Sequence, residues 1–452
     1  MAEDEVPPPR CVAERGTSGL GAPFWSLLTA SGGSNLADGV LKVALPLVAL
    51  RFTDSPALIS GILVALSLPW LFFALPAGAL ADRVDRRLAM LGANVMRGSL
   101  AALLTLSVAF DFGSVWLLYA VAFLIGMTET VYDTSAQSIL PQLVPRDRLS
   151  RANGRLFAVE LSSQEFVGPT LGSAMVAVSV GLAFVTPAAL WFAAVGALLL
   201  VRGRYKVART GPPTSMRADI AEGVRFLWRH RLLRTFALMV GVSNFAFSAL
   251  FGVVALFVVG SGSPMGLTEA AFGLLFAMVA VGSVVGAFAT AWFERVLGRT
   301  RSLWLSVVLF CVILVAPGLT TDVWLVGLGF VLGGLGVTMW NVITVSLRQR
   351  MAPGALLGRV NSVYRLFAWG TRPLGAAAGG LLAEFIGLQP MFLCMALLVL
   401  TLVVPMLRID DAAIDTAEQA ALELAEEERA VGHEETGPRE KGHGETGPRE
   451  QA

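Results

Sequence analysis

Charge is scarce in this 452-residue chain: Asp, Glu, Lys and Arg make up 15% of it, against 55% hydrophobic residues. A soluble domain carries about 25% charged residues. With a mean hydropathy of +0.69, the composition excludes an ordinary water-soluble fold and indicates a membrane protein. Cysteine and histidine are scarcer still, three of each. Cys11, Cys311 and Cys394 are too scattered for a disulfide framework or a metal site, and no cofactor is expected. His230, His433 and His443 all lie outside the apolar runs, so a proton path inside the membrane domain must use carboxylates. No Gly-rich phosphate loop ending in Lys-Ser/Thr occurs, which removes the machinery of ATP-driven pumping. No apolar run holds a histidine that could activate a buried nucleophile, so the chain is not expected to be an enzyme. A net charge of +1 supplies no basic field for nucleic acid.

What the chain has is long apolar runs. About twelve reach the 18 or so residues that cross a bilayer: Phe24–Leu50, Ala57–Ala81, Leu88–Phe110, Val115–Leu140, Leu149–Val178, Leu182–Val201, Leu232–Val259, Leu267–Phe293, Ser302–Leu319, Val323–Leu347, Leu356–Phe385 and Pro390–Leu407. Alternate loops collect the bases: Arg83, Arg86 and Arg87, then Arg146, Arg148 and Arg151, then Arg202, Arg204, Lys206 and Arg209, and later Arg295, Arg299, Arg301, Arg348, Arg350 and Arg359. The opposite loops offer Arg51 among Asp54, Asp111, Glu269 and Asp322. By the positive-inside rule the basic loops and both termini are cytoplasmic, in a cell (inner) membrane. The polar, Pro-containing start lacks the layout of a cleaved signal peptide.

The runs fall into two matching sets. Ser34-Asn35 is echoed by Ser243-Asn244, Arg151-x-Asn153 by Arg359-x-Asn361, and Gly172 by Gly380. All are separated by roughly 210 residues, the mark of two parallel six-span repeats. The organisation expected is a lead-in over 1–22, a first bundle over 23–203, a cytosolic linker over 204–231, a second bundle over 232–408 and an acidic, disordered tail over 409–452. In the linker, Ile220, Val224, Leu227 and Trp228 recur at helical spacing while Arg217, Arg225 and Arg229 occupy other faces. That pattern describes an amphipathic helix at the lipid interface, either a joint between the halves or a regulatory site. The tail ends in a repeat, His433-Glu-Glu-Thr-Gly-Pro-Arg-Glu and His443-Gly-Glu-Thr-Gly-Pro-Arg-Glu, too polar to offset its ordering entropy.

Ionisable residues inside the runs are the candidate functional groups, because each costs about 2.5–3.5 kcal/mol at the bilayer centre. The first run holds Asp38 and Lys42, the fourth Glu129 and Asp133, the fifth Glu160 and Glu165. Five carboxylates facing lipid would cost on the order of 12–17 kcal/mol, so they must face protein or a wet cavity. Asp38 and Lys42 are one helical turn apart and can neutralise each other. Glu129 and Asp133 have the same spacing but repel, and repulsion with desolvation favours a proton on one of them. Arg365 and Arg372 in the eleventh run are the expected counter-charges from the other half, and Asn35, Asn244 and Asn341 the expected polar lining. Arg97 in the third run is expected to snorkel or to brace the basic end.

The loop Gly78-Ala-Leu-Ala-Asp82-Arg83-Val-Asp85-Arg86-Arg87 resembles the signature of the major facilitator superfamily of secondary transporters. The resemblance implies an all-α fold of twelve transmembrane helices in two six-helix bundles. It assigns Gly78, Asp82, Arg83, Arg86 and Arg87 to a cytoplasmic latch between the halves, and points the first, fourth, seventh and tenth spans at a central cavity. Gly168-Pro169-Thr170-Leu171-Gly172 resembles the antiporter motif of that superfamily, departing from it at Gln164 and Ser173. The Arg common in the fourth span of drug/proton antiporters is replaced by Ala122. Ser34-Asn35-Leu-Ala-Asp38-Gly39 and Arg151-Ala-Asn153-Gly154 resemble the branch with macrolide efflux proteins and the enterobactin exporter. The resemblance implies a monomer that exports a bulky, partly apolar small molecule in exchange for protons, with membrane lipids as its other partners. An importer or uniporter, and a sensor or scaffold acting through the tail, are the alternatives.

Overall fold

The computed structural model describes residues 20–145, 148–201, 203, 205, 216–260, 262–351, 357–407, 409–419 and 422–423; within helices, the side chains of 74–83, 150, 216–220, 357–359, 361–362 and 365 fall outside that description. The helices are α1 (Ala22–Ala49), α2 (Pro56–Arg83), α3 (Arg86–Ala109), α4 (Val115–Leu143), α5 (Leu149–Leu161), α6 (Gly168–Val178), α7 (Val180–Leu199), α8 (Met216–Arg229), α9 (Arg231–Val258), α10 (Glu269–Leu297), α11 (Arg299–Leu319), α12 (Val323–Met351), α13 (Leu357–Ile386), α14 (Leu388–Leu400) and α15 (Val403–Met406). They form the twelve spans expected: α5 and α6 belong to one span, α14 and α15 to another, and α8 is the linker helix. Among the described residues nine helices are long and apolar enough to cross a membrane. The spans outside that set are α1, α5–α6 and α13, which carry Asp38, Lys42, Glu160, Glu165 and Arg372, while Glu129 and Asp133 lie on α4 within it.

Local sequence sets the helix ends. Asp85 caps α3, accepting from the N–H groups of Arg87 and Leu88; Ser114 caps α4 and Thr268 caps α10. His230 caps α9 by accepting from Leu233 N–H at 3.3 Å, and burial pushes its imidazole below the usual range, so the cap is a neutral acceptor. The fifth span does not simply bend at its Gly-Pro pair. Six residues before it, Ser162–Val167, form a π-helical turn, with Gly168 N–H bonded five residues back to Ser163. Pro169 has no N–H for the carbonyl of Glu165 and its ring would crowd that carbonyl; widening the turn relieves both. The last span also breaks, at Thr401–Leu402, where the sequence reads as continuous.

In the first half α1 packs on α6 and α7, α2 on α4, and α3 on α4 and α7; in the second, α9 packs on α13, α10 on α12, and α11 on α12 and α14. The halves meet where α2 lies along α13 and α9, and where α6 and the π turn lie along α10. Among the described residues, several of their contacts sit at the end away from the Arg-rich loops. Ser55 Oγ donates to Glu384 of α13 at 2.7 Å and Ala57 N–H donates to the same carboxylate at 3.3 Å, just at the start of α2. Gly380 of α13 packs against Ser60, and Ser173 donates to the Glu269 carbonyl. Midway, Trp70 meets Trp369 with ring centroids 4.6 Å apart.

Two expectations are revised at the Arg-rich end. Linker helix α8 packs on α9 and α13: Leu227 is buried, Val224 half-buried, and Trp228 lies 6.1 Å from Phe367. Arg225 and Arg229 are exposed, while the side chains of Arg217 and Ile220 are outside the described residues. The tail read as disordered from 409 starts with an ordered segment, residues 411–419 being helical. Ile409 and Ile414 are buried there. Asp411 accepts from Thr300 N–H and Oγ1 at 2.9 and 2.8 Å, and Glu418 pairs with Arg299 at 3.2 Å and Arg350 at 3.4 Å. Two isoleucines and acids facing bases supply the ordering that composition alone concealed. The His433 and His443 repeat lies outside the described residues.

Candidate functional site: a buried ionic network in the first half

Asp38 does not pair with Lys42. Arg97 Nη1 donates to both Asp38 oxygens, at 2.9 and 2.8 Å, and the Arg97 side chain is wholly buried. Arg97 therefore neither snorkels nor braces the basic end. Its Nη2 donates to Asn94 Oδ1 at 2.9 Å, which also accepts from Ser34 Oγ at 3.1 Å. The guanidinium lies 4.8 Å from the Tyr132 ring centre and 5.4 Å from that of Trp191, two aromatic faces that replace part of its lost hydration. Tyr132 Oη and Ser31 Oγ are 3.3 Å apart, and Asn35 Nδ2 donates to the Ser31 carbonyl at 2.8 Å.

Lys42 turns to the fifth span, where its ammonium meets both oxygens of Glu165 at 2.8 Å. That pair is partly open, its side chains 28% and 34% exposed. Glu165 reaches α1 because it sits on the π turn, which packs against α1. The approach is tight: a Cβ on Gly39 would stand 2.7 Å from the Gln164 carbonyl, and one on Gly168 2.6 Å from Gly39 Cα. The Gly-Pro-x-x-Gly motif thus brings the fifth span onto the first, with Pro169 and Gly172 buried at that contact.

Glu129 differs from both. Among the described residues its bonding partner is an uncharged amide, Gln164 Nε2, at 2.9 Å. Asp38, Asp133 and Arg97 lie within electrostatic reach of it. Asp133 and Glu160 are half-buried on α4 and α5. Four buried atoms of the same region, Arg97 Nε, Asn94 Nδ2, Ser135 Oγ and Trp191 Nε1, have no protein partner. Orphaned polar atoms of this kind are normally satisfied by internal water.

Of the two counter-charges expected from the second half, one lies within electrostatic reach of the network. Arg372 stacks on Trp369, 5.3 Å from its ring centre, and acts on Glu165 through space; the side chain of Arg365 is outside the described residues. Asn244 is half-buried on α9, and Asn341 donates to the carbonyl of Val337 on its own helix at 3.0 Å. In the loop signature, Arg86 donates to the Ser138 carbonyl, and Arg87 to the carbonyls of Leu198 and Leu199 at 3.0 and 3.1 Å. Both arginines thus hold carbonyls of first-half helices, where cations offset the dipole. The side chains of Gly78, Asp82 and Arg83 lie outside the described residues. Sequence reading passed over Asn94, Tyr132 and Trp191; the available signal was Asn94 and Arg97 three apart in an apolar span, which the rule applied to Asp38 would also have flagged.

A family model described as transmembrane secretion effector matches residues 21–438. Multidrug efflux pump Tap of Mycobacterium tuberculosis is 29% identical over 394 residues, covering 83% of this chain and 89% of that protein. Macrolide efflux protein A of Streptococcus pyogenes is 21% identical over 388 residues, covering 84% and 94%. Among solved structures, a variant of the nucleoside transporter NupG matches with TM-score 0.70 at 12% identity, covering 85% of this chain and 99% of that one. A bacterial homologue of the iron transporter ferroportin, in an inward-facing state, matches with TM-score 0.64 at 17% identity, covering 86% and 97%. A two-bundle helical fold, a charged network buried inside one bundle and a family match over most of the length agree: the chain belongs to the transmembrane secretion effector family of the major facilitator superfamily, a family of membrane transporters and not of enzymes.

Proposed function

We propose that the protein is a proton-coupled exporter that moves a bulky amphipathic small molecule out of the cell by alternating access, with Glu129 as the proton carrier. The observation that carries this reading is the contrast among three carboxylates in one bundle. Asp38 and Glu165 each face a cation at 2.8 Å, whereas Glu129 faces an amide. An ion-paired carboxylate gains little from a proton, because protonation would strand its partner's charge in low dielectric. A carboxyl held by an amide is satisfied in either state: charged it accepts, protonated it can still share the amide oxygen. The efflux proteins similar to this chain support the direction of transport.

The bundle is closed at the end where Ser55, Ala57 and Glu384 meet. With the Arg-rich loops and both termini on the cytoplasmic side, that closed end faces outward. Closure toward the cytoplasm would then require Arg86 and Arg87 to exchange helix-end carbonyls for the second half. Efflux driven by an imposed pH gradient in proteoliposomes tests the reading. Glu129→Gln should abolish gradient-driven efflux while leaving cargo counterflow, which needs no net proton movement. Undiminished gradient-driven efflux by that variant refutes the proposed carrier.

A further inference from the structure

The helices that follow the two matching basic loops are capped differently. In the first half Asp85 caps α3 itself, and its second oxygen accepts from Tyr205 N–H at 3.0 Å, in the segment after the sixth span. In the second half Gly298, at φ +84°, precedes α11 and has no side chain to offer. The segment after the twelfth span supplies the missing carboxylate, Asp411, which accepts from Thr300 N–H and Oγ1. On the tail helix Asp411, Asp415 and Glu418 are four and three residues apart, so they share a face. The root of that helix is held by the cap and by the buried Ile409 and Ile414. Its tip is held by ion pairs, Asp415 to Arg299 at 3.4 Å and Glu418 to Arg299 and Arg350 at 3.2 and 3.4 Å. Arg299 and Arg350 remain 31% and 55% exposed. Arg295 and Arg301 beside them are exposed, with no protein partner among the described residues. In the first half, by contrast, Arg86 and Arg87 are bonded to carbonyls fixed in the bundle.

We infer that Arg295, Arg299, Arg301 and Arg350 form a binding surface for anionic lipid headgroups, and that the tip of the tail helix is an intramolecular occupant which lipid displaces. All four arginines sit at the ends of spans, where headgroups lie. Trp292, one turn before Arg295 and 57% exposed, is the residue type enriched at that depth. Exposed ion pairs contribute little because water and salt screen them. The attraction of an arginine to an anionic membrane surface is of comparable size, so the tip is balanced between two partners. With the tip docked, Asp415 and Glu418 join Glu294 and the root acids Asp410 and Asp411 in offsetting the four bases. With the tip lifted, those two acids leave and Arg299 and Arg350 turn to lipid. A lipid that binds the second arrangement better shifts the population toward it. The anchored root keeps the tip close enough to return where anionic lipid is scarce. The inference depends neither on the direction of transport nor on Glu129.

The test uses the full chain in lipid nanodiscs, with Cys11, Cys311 and Cys394 replaced by alanine and a spin label on Gln419→Cys, an exposed position at the tip. In phosphatidylcholine the label should be ordered. Replacing about a third of the lipid with phosphatidylglycerol should raise the ratio of mobile to ordered label about fivefold, the net of two attractions gained and the exposed pairs lost. Arg299→Gln combined with Arg350→Gln should leave the tip mobile in both membranes, with no response to lipid. Glu418→Arg, which repels both arginines, should free the tip in phosphatidylcholine as well. Inorganic phosphate at matched ionic strength should change the ratio less than about twofold. A tip equally ordered or equally mobile in both membranes overturns the inference. So does a lipid response that survives in the double variant, an ordered tip in Glu418→Arg, or release by inorganic phosphate as large as that by phosphatidylglycerol.

Discussion

The two halves repeat a backbone plan but diverge in what they put on it. Matching the starts of α4 and α12 carries Glu129 onto Val337 and Asp133 onto Asn341, just as Asp38 and Lys42 correspond to Phe247 and Phe251. The ion pairs Asp38–Arg97 and Lys42–Glu165 lie among the spans of the first half. In the second, the described ion pairs sit at the Arg-rich end, joining Arg299 and Arg350 to Asp415 and Glu418 of the tail. Duplicated halves can therefore carry different side chains on one backbone plan, buried ion pairs in the first and clustered aromatic rings in the second. Asp38 and Glu165 are each paired with a cation of the same half, so those two ion pairs lie within one bundle and not across the interface between the halves.

Several substitutions would break this asymmetry. Arg97→Leu strands the buried Asp38 without its cation and should cost about 3–5 kcal/mol, seen as lost yield or a lower Tm. Adding Asp38→Leu should restore most of the loss, since removing a whole buried pair is often neutral. Phe247→Asp places a carboxylate among the aromatic rings of the second half and should cost about 2.5–3.5 kcal/mol on the insertion scale. Phe251→Lys beside it, one turn away, should recover part of that in thermal unfolding. Gly39→Ala would press a Cβ on the Gln164 and Ser163 carbonyls, at 2.7 and 2.9 Å. Overpacking should cost about 1–3 kcal/mol, whereas Ser248→Ala at the matching position of α9 should cost less than about 1 kcal/mol. Smallest, Ser55→Ala removes one hydroxyl from the contact with Glu384 and should destabilise the closed end by about 0.5–1 kcal/mol. Faster labelling of a cysteine placed on the outer face of the cavity would report it.

The span positions were legible because bilayer thickness imposes a length that apolar runs must meet, and α1, α5–α6 and α13 fall within a few residues of the runs read from composition. Charges within those runs were equally visible. Their partners were not. Spacing of four told that Asp38 and Lys42 share a face of one helix, but a pair between helices depends on how α1 and α3 are rotated and at what depth they meet. A snorkelling Arg97 needs no partner, whereas a guanidinium buried in the bundle must have one. The π turn was hidden for a related reason. Proline signals a missing hydrogen bond, and only packing against Gly39 settles whether a bend or a widened turn absorbs it. The ordered start of the tail was masked by its acidic composition, since its stability comes from Arg299, Thr300 and Arg350 far away in the chain.

Proton release on cargo binding tests the account most directly. Adding an exported cargo to the purified, weakly buffered protein should release protons from the wild type and from Glu160→Gln. The same addition should release none from Glu129→Gln, although that variant still binds the cargo. Release of equal size from Glu129→Gln would contradict the assignment of Glu129 as the carrier.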